Sequence, residues 1–257
     1  MAEGAEKILR VADPISLAVY LYGDTPEQNA RRAESVEIAS EIAFKGGPDK
    51  APYRAPDKAP DTAPDTAIAL NILGANASNS GDEKGAELAA NLFSEAIAID
   101  KTYAPSYSNL ASTLAKAGMR KEAIENFKTA LAVNSGIPGV HRQLGMLYSE
   151  LNKNDEAIAE FKAALDQDPR DHDAMNSWAA TFLQMGDDKG AAEKAKAAIS
   201  IDTTDAYAHF NLGLAYKHLG EKELAKKEFT PLAGIAGDTE GHARVKAKAE
   251  AELKALE

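Results

Sequence analysis

The feature that most constrains this fold is a set of side chains that recurs every 34 residues. The recurring small residues are Ala89, Ala123, Ala157, Ala191 and Ala225. Four residues later lie Phe93, Phe127, Phe161, Ala195 and Phe229, and three residues after those lie Ala96, Ala130, Ala164, Ala198 and Leu232. An Ala-x3-Phe-x2-Ala spacing places all three side chains on one face of an α-helix. The small residues let a neighbouring helix approach, and the ring fills the space between them.

A second set of apolar residues lies upstream of the first within each period. Its members are separated by three, four and seven residues, which again form one stripe along a helix. The stripes are centred on the pairs Leu110-Ala111, Leu144-Gly145, Trp178-Ala179 and Leu212-Gly213. Because the second residue of each pair is small, the stripe predicts close contact with a partner helix.

Between the two sets lies a residue suited to ending a helix. These residues are Gly118, Asn152, Gly186 and Gly220, again 34 residues apart. Glycine commonly adopts the left-handed conformation at a helix end, and asparagine is its usual substitute. Polar residues such as Asp187 follow and can cap the next helix. Each period therefore predicts a helix, a tight turn and a second helix.

This pattern resembles the tetratricopeptide repeat (TPR) family, whose signature has the same length and residue types. The resemblance covers about residues 70–239, with clear units at 104–137, 138–171, 172–205 and 206–239. A degenerate unit occupies residues 70–103, and Ala195 departs from the expected phenylalanine. The resemblance implies an all-α fold, a right-handed solenoid of antiparallel helix pairs wound into a TPR-like superhelix.

The chain divides into four predicted parts. Residues 1–47 form an N-terminal helical segment, 48–66 a proline-rich linker, 67–239 the solenoid and 240–257 a polar C-terminal capping helix. Proline at every fourth position of the linker excludes an α-helix and favours extended chain. We interpret the linker as a spacer, with a docking strip around Tyr53 and Arg54 as the alternative. In the capping helix, Val245, Leu253 and Leu256 can pack inward.

The N-terminal segment contains an apolar run between Ile15 and Tyr22. The run is too apolar to be stable alone in water, so it either packs on the solenoid or docks on another molecule. Its candidate docking residues are Leu17, Tyr20, Leu21 and Tyr22. The sequence leaves these two alternatives open.

The charge and the absence of cysteine exclude several classes of function. Lys and Arg total 29 and Asp and Glu total 40, giving a net charge of −11. Phosphate backbones and anionic membrane surfaces repel such a chain, so we expect no nucleic-acid partner. The lack of cysteine excludes disulfides and thiolate metal sites. No apolar run approaches the roughly 20 residues of a membrane span, and no secretory signal pattern is present, so we expect a cytoplasmic protein.

No motif in the sequence indicates catalysis. A glycine-rich phosphate loop, a Gly-x-Ser-x-Gly elbow and a His-Glu-x-x-His helix are all absent. His141 and His209 occupy equivalent repeat positions and are interpreted as helix-packing residues, and His218 as a solvent-exposed residue near a turn. We therefore predict a protein that is not an enzyme and has no cofactor, metal or catalytic residue.

The family resemblance implies that the first helix of each unit lines a concave groove. The candidate groove residues are Arg142, Met146, Asn176, Leu183, Tyr207, Phe210, Leu214 and Lys217. Tyr207, Phe210 and Leu214 form an apolar patch that either binds a partner or is covered by the chain's own tail or N-terminal segment. Some family members clamp the C-terminal carboxylate of chaperones; Met146 and Ser177 replace the asparagines of that clamp, so this mode is disfavoured.

Three hypotheses of function follow. The leading one is a non-catalytic scaffold or adaptor that binds a protein or peptide partner in the groove; the identity of that partner is not specified by the sequence. The first alternative is a self-assembling or structural subunit of a larger complex, with residues 1–47 docking on a neighbouring copy or subunit. The second alternative is a regulatory subunit of a separate enzyme.

Overall fold

A computed structural model describes residues 63–79, 82–235 and 239–257, which form eleven α-helices and no strand. The helices are α1 (Ala63–Ser78), α2 (Glu83–Ile99), α3 (Ala104–Lys116), α4 (Arg120–Val133), α5 (Val140–Glu150), α6 (Asn154–Gln167), α7 (His172–Met185), α8 (Asp188–Ile201), α9 (Ala206–His218), α10 (Lys222–Ala233) and α11 (Glu240–Ala255). The N-terminal segment 1–47, with its docking residues Leu17, Tyr20, Leu21 and Tyr22, lies outside the described residues.

Helix α1 begins at Ala63, within the last four residues of the stretch 48–66 that was predicted to be a linker. Pro64 lies in the first turn of this helix. Backbone N–H groups of the first turn have no intrahelical acceptor, and proline's fixed φ suits that position, so the residue does not prevent the helix from starting there.

The turn within each repeat has the predicted left-handed residue. Gly118, Asn152, Gly186 and Gly220 have φ values of 81°, 57°, 76° and 79°. The N–H of the following residue donates to a carbonyl in the last turn of the first helix, as from Lys153 to Tyr148 (2.8 Å) and from Asp187 to Phe182 (2.9 Å). This bond closes the helix and reverses the chain. Every clear repeat is thus a pair of helices joined by a tight turn, as predicted.

The chain forms two compact units, divided between Ile137 and Pro138. In the described part of the first unit, α1 packs on α2 and α3 on α4. Phe93 and Phe127 are buried there. The ring of Phe93 lies directly on Gly74, where a Cβ atom would be 2.6 Å from the ring carbon Cε1. Glycine at this position is therefore a packing requirement: it lets the ring sit against the backbone of the first helix.

The second unit is a stack of helix pairs, α5–α6, α7–α8 and α9–α10, followed by α11. The first helices α5, α7 and α9 contact one another in order, and α11 continues the row beside α9. Three hydrogen bonds between neighbouring first helices have the same separation in sequence: Ser149–Gln184, Asn176–Asn211 and Lys217–Glu252 are each 35 residues apart. Helix α11 therefore occupies the position of the first helix of a further repeat. The prediction of an all-α solenoid of helix pairs is confirmed.

The repeat at 172–205 replaces the usual ring with a different arrangement. In the repeats before and after it, Phe161 packs on Gly145 and Phe229 packs on Gly213. In this repeat the glycine position is Ala179 and the phenylalanine position is Ala195, and both alanines are fully buried. Phe182, Ile199 and Tyr216 complete the apolar cluster around Ala195. The departure from the repeat pattern therefore still leaves an apolar cluster, which is built mainly from alanines with these larger side chains packed against it.

Candidate partner-binding surface

The first helices of the second unit bring the candidate groove residues onto one surface. We call this surface the first-helix face and define it by Arg142, Met146 and Ser149 on α5, Asp173, Asn176, Ala180 and Leu183 on α7, and Tyr207, Phe210, Leu214 and Lys217 on α9. On each helix the spacing of three or four residues keeps these side chains on the same side. All eight residues predicted from the sequence belong to it, but they differ in what remains available to a partner.

Arg142 is occupied by contacts within the chain. Its Nη1 donates to Asp171 Oδ1 (2.8 Å) and to Asp173 Oδ2 (2.7 Å). Asp171 Oδ1 also accepts from the backbone N–H of Ala174 and so caps α7. Arg142 therefore links α5 to the start of α7, and two carboxylates already surround its guanidinium group.

Asn176 is likewise part of a link between neighbouring first helices. Its Oδ1 accepts a hydrogen bond of 2.6 Å from Asn211 Nδ2. One repeat earlier, Ser149 donates to Gln184 Oε1 (2.9 Å) and accepts from Thr181 (2.9 Å). The polar groups of this surface therefore satisfy one another between repeats, which stabilises the stack and lowers the cost of their partial burial.

Met146 is the most exposed apolar residue of α5, with 39% of its surface accessible. It lies one helical turn from Arg142 on the same side of the helix. Leu183, on the neighbouring first helix, is half-buried against the apolar cluster shared by α7, α8 and α9. The middle of the first-helix face therefore presents an exposed thioether side chain beside satisfied amides.

The apolar patch predicted at Phe210 and Leu214 is covered by the chain's own C-terminal helix. Both side chains are partly buried against the cluster that contains Val245 and Ala249 of α11 and Leu256 directly after it. Lys248 Nζ lies 5.9 Å from the centre of the Phe210 ring, and Lys217 bonds to Glu252. The chain's own tail therefore covers part of this patch. Lys217, which was predicted to flank a bound partner, instead forms an ion pair with Glu252 of the same helix.

Tyr207 lies at the edge of the covered region. Its side chain is exposed, and its hydroxyl group is close to Gly241 at the start of α11. A Cβ atom on residue 241 would clash with that hydroxyl. Tyr207 therefore marks where the open part of the first-helix face meets the part that α11 covers.

Two histidines of the second unit, His141 and His209, pair with carboxylates inside their own repeats. His141 Nδ1 lies 2.6 Å from Glu160 Oε2, and His209 Nδ1 lies 2.7 Å from Glu228 Oε2. These equivalent contacts join the first and second helices of two repeats, in agreement with their interpretation as packing residues. His218 is exposed and pairs with Asp188. Among the residues that the structure describes, no three His, Asp or Glu side chains are grouped so that they could hold a metal ion.

The sequence named the residues of this surface but not their pairing. It did not identify Glu252 as the partner of Lys217, or Asp171 and Asp173 as the partners of Arg142. The sequence does contain a signal for Glu252. Its separation of 35 residues from Lys217 is also found between Ser149 and Gln184, which bond across two neighbouring first helices. Extending the repeat register into the tail would have placed α11 beside Phe210.

The stack of helix pairs and its first-helix face define an all-α repeat protein. Family models described as tetratricopeptide repeats match residues 142–206 in one case, and residues 104–136 and 206–233 in the other. Residues 104–136 and 142–233 are tetratricopeptide repeats, and the predicted resemblance is confirmed. Proteins of this family and fold are typically non-catalytic scaffolds for protein interactions.

Comparison with individual proteins agrees with this assignment. Tetratricopeptide repeat protein 6 of Homo sapiens is 27% identical over 146 residues, which are 56% of this chain and 28% of that protein. The chain thus spans little more than a quarter of this curated relative. Among solved structures, MamA protein is 21% identical with a TM-score of 0.57, covering 64% of this chain and 88% of its own.

Two further solved structures share the fold at similar identity. TTC0263, a thermophilic TPR protein of Thermus thermophilus, is 20% identical with a TM-score of 0.58 over 71% of this chain and 98% of its own. YrrB, described as a TPR protein with an unusual peptide-binding site, is 21% identical with a TM-score of 0.54 over 70% of this chain and 92% of its own. At such identities the likeness concerns the fold.

None of the helices within the described ranges is both long and apolar enough to span a lipid bilayer.

Proposed function

We propose that this chain is a non-catalytic scaffold that binds a segment of a partner protein along the first-helix face. The open part of this surface is centred on Met146, Asn176 and Leu183, with Tyr207 at its edge. The exposure of Met146 is the observation that carries the proposal. It places an adaptable apolar side chain on the surface between amides and hydroxyls that are already hydrogen-bonded.

The proposed centre of the binding site differs from the apolar patch at Phe210 and Leu214 that the sequence suggested. Phe210 and Leu214 are partly buried against a cluster to which α11 contributes, so less of their surface remains for a partner. Met146 and the exposed edge of α7 need no such change. A peptide-binding site in a solved structure of the same fold, YrrB, supports the use of this architecture for binding a peptide segment.

A selection experiment tests the proposal without knowledge of the natural partner. Phage-displayed random 12-residue peptides are selected on the full-length protein, and the recovered peptides are labelled and titrated by fluorescence anisotropy. The test variant is Met146→Glu, and the matched control is Met185→Glu, because Met185 is similarly exposed (44%) but lies in the last turn of α7, outside the first-helix face. Circular dichroism verifies that both variants are folded.

We expect Met146→Glu to weaken binding by about tenfold or more, as for the loss of a central apolar contact, and Met185→Glu to leave it unchanged. Equal binding to the two variants would show that the selected peptides do not use this surface. Failure to recover any binding peptide would also count against the proposal.

A further inference from the structure

We infer that the first-helix face is built for a cationic partner segment that carries an apolar anchor. This inference rests on the proposed function and specifies the chemistry of the partner. It follows from a comparison of the positive and negative groups that the surface still offers.

The cations of the surface are already occupied. Arg142 donates to two carboxylates, Asp171 and Asp173, and Lys217 is bonded to Glu252. An acidic segment would have to compete with these internal carboxylates, which are held in place at no further entropic cost. The two cations therefore act as links between helices rather than as receptors for anionic groups.

The same place holds one carboxylate more than the single guanidinium group of Arg142 can neutralise, because both Asp171 and Asp173 pair with it. Three acidic side chains, Asp171, Asp173 and Asp205, lie around Arg142 and His172 at the start of α7 and α9. Asp171 and Asp205 are largely buried and cap the helices by accepting from backbone N–H groups. Asp173 has 60% of its side chain exposed and makes no cap, so its negative charge faces solvent beside Arg142.

The apolar anchor and this carboxylate belong to one patch. Met146 follows Arg142 by one helical turn, and the Arg142 guanidinium contacts Asp173 directly. A segment with Lys or Arg close to Leu, Met or Phe can thus pair with Asp173 while its apolar side chain packs on Met146. The charge of the whole chain, −11, adds a general attraction that increases the association rate.

Two synthetic probes test the inference on the full-length protein. They are fluorescein-labelled 12-residue peptides with the same four leucines and the same neutral residues, one with four lysines and the other with four glutamates at the charged positions. Titrations are made at an ionic strength of about 0.15 M, where the Debye length is about 8 Å and remote charges are screened. The test variant is Asp173→Asn. Its control is Asp166→Asn, which removes an exposed carboxylate from second helix α6 and gives the same change in net charge.

We expect the lysine peptide to bind and the glutamate peptide to bind at least about tenfold more weakly. Asp173→Asn should weaken binding of the lysine peptide about threefold, the effect of one exposed ion pair, and Asp166→Asn should leave it unchanged. Equal losses in the two variants would assign the binding to net charge alone and overturn the inference, as would equal or tighter binding of the glutamate peptide.

The failure of this inference is distinguishable from failure of the proposed function. If library peptides lose affinity in Met146→Glu but contain no excess of Lys and Arg, and if Asp173→Asn binds them normally, the surface binds peptides without selecting for positive charge. If Met146→Glu has no effect, the proposed site itself is wrong.

Discussion

Phe127 shows how one side chain of the repeat holds two helices together. Its ring is fully buried, as are those of Phe161 and Phe229 at the equivalent positions of two other repeats. The helical spacing of alanine, phenylalanine and alanine predicted this burial, because small residues on both sides of a ring are useful only where another helix is close.

We predict that Phe127→Ala lowers the free energy of unfolding by about 3–5 kcal/mol, because it removes a buried ring and leaves a cavity. Urea denaturation followed by circular dichroism measures the change. Met119→Ala is the control, since Met119 is exposed and should shift the midpoint little. An unchanged midpoint for Phe127→Ala would contradict the assigned burial.

A second residue-scale prediction concerns Asp202 in the loop between two repeats. Hydrogen bonds from the Thr204 hydroxyl group and then from its backbone N–H lower the pKa of Asp202 below the ordinary value of 3.8. Thr204→Ala removes the first bond, so the pKa should rise toward 3.8. A carboxyl-carbon NMR titration measures it.

The sign of the linked effect on stability follows from the lowered pKa. A carboxylate with a depressed pKa in the folded state contributes stability above its unfolded pKa, and the contribution is lost as pH falls through the folded value. The difference in stability between the wild type and Thr204→Ala should therefore narrow on acidification below about pH 4. A pKa of Asp202 that is the same in both proteins would rule out the hydroxyl group as the cause.

At the scale of elements, α11 decides how much of the first-helix face is open. Its buried side is formed by Val245, Ala249 and Leu256, which pack on α9 and α10. Its other side carries Lys246, Ala247 and Glu250 at the repeat positions where α9 has Leu212, Gly213 and Tyr216. The helix therefore stacks as a first helix, and its outer side carries no apolar stripe of the kind on which a second helix packs.

We predict that Val245→Asp lowers the free energy of unfolding by at least about 2 kcal/mol, because it places a carboxylate in an apolar cluster. The matched control is Ala247→Asp on the exposed side of the same helix. Hydrogen exchange should show faster exchange in α11 for the first variant only. Equal protection in the two variants would mean that α11 is not held through Val245.

Because Phe210 packs near α11, a substitution at this position would test more than partner binding. Phe210 lies 5.6 Å from Phe229, measured between ring centres, and contacts the α11 cluster. A charged residue at this position would disturb the attachment of α11 as well as any partner. Met146 is therefore the better position for separating binding from folding.

At the scale of the whole molecule, the hypothesis of self-assembly through residues 1–47 remains a prediction. It requires that the full-length chain have a higher mass in solution than a variant lacking residues 1–62, which starts where α1 begins. Light scattering at several concentrations measures both masses, and circular dichroism confirms that the shortened chain is folded. If both proteins are monomeric, this hypothesis loses its support.

The sequence by itself determined the repeat: its length, its two helices, the left-handed turn and the buried rings. These features depend on rules that act within one helix pair, such as side-chain spacing and the backbone preference of glycine. The family resemblance implied a groove lined by eight residues but gave no information about their partners.

Only the tertiary structure decided which of those residues already pair with other groups of the chain. Arg142 meets Asp171 and Asp173, and Lys217 meets Glu252, across separations of 29, 31 and 35 residues. Such pairs depend on how neighbouring repeats stack and on where the last helix lies. Charge and burial at this surface are properties of the packed helices. Local sequence patterns do not contain them, because Asp173 and Glu252 lie outside the repeat of the residue they pair with and Asp171 lies at the far end of the repeat that contains Arg142.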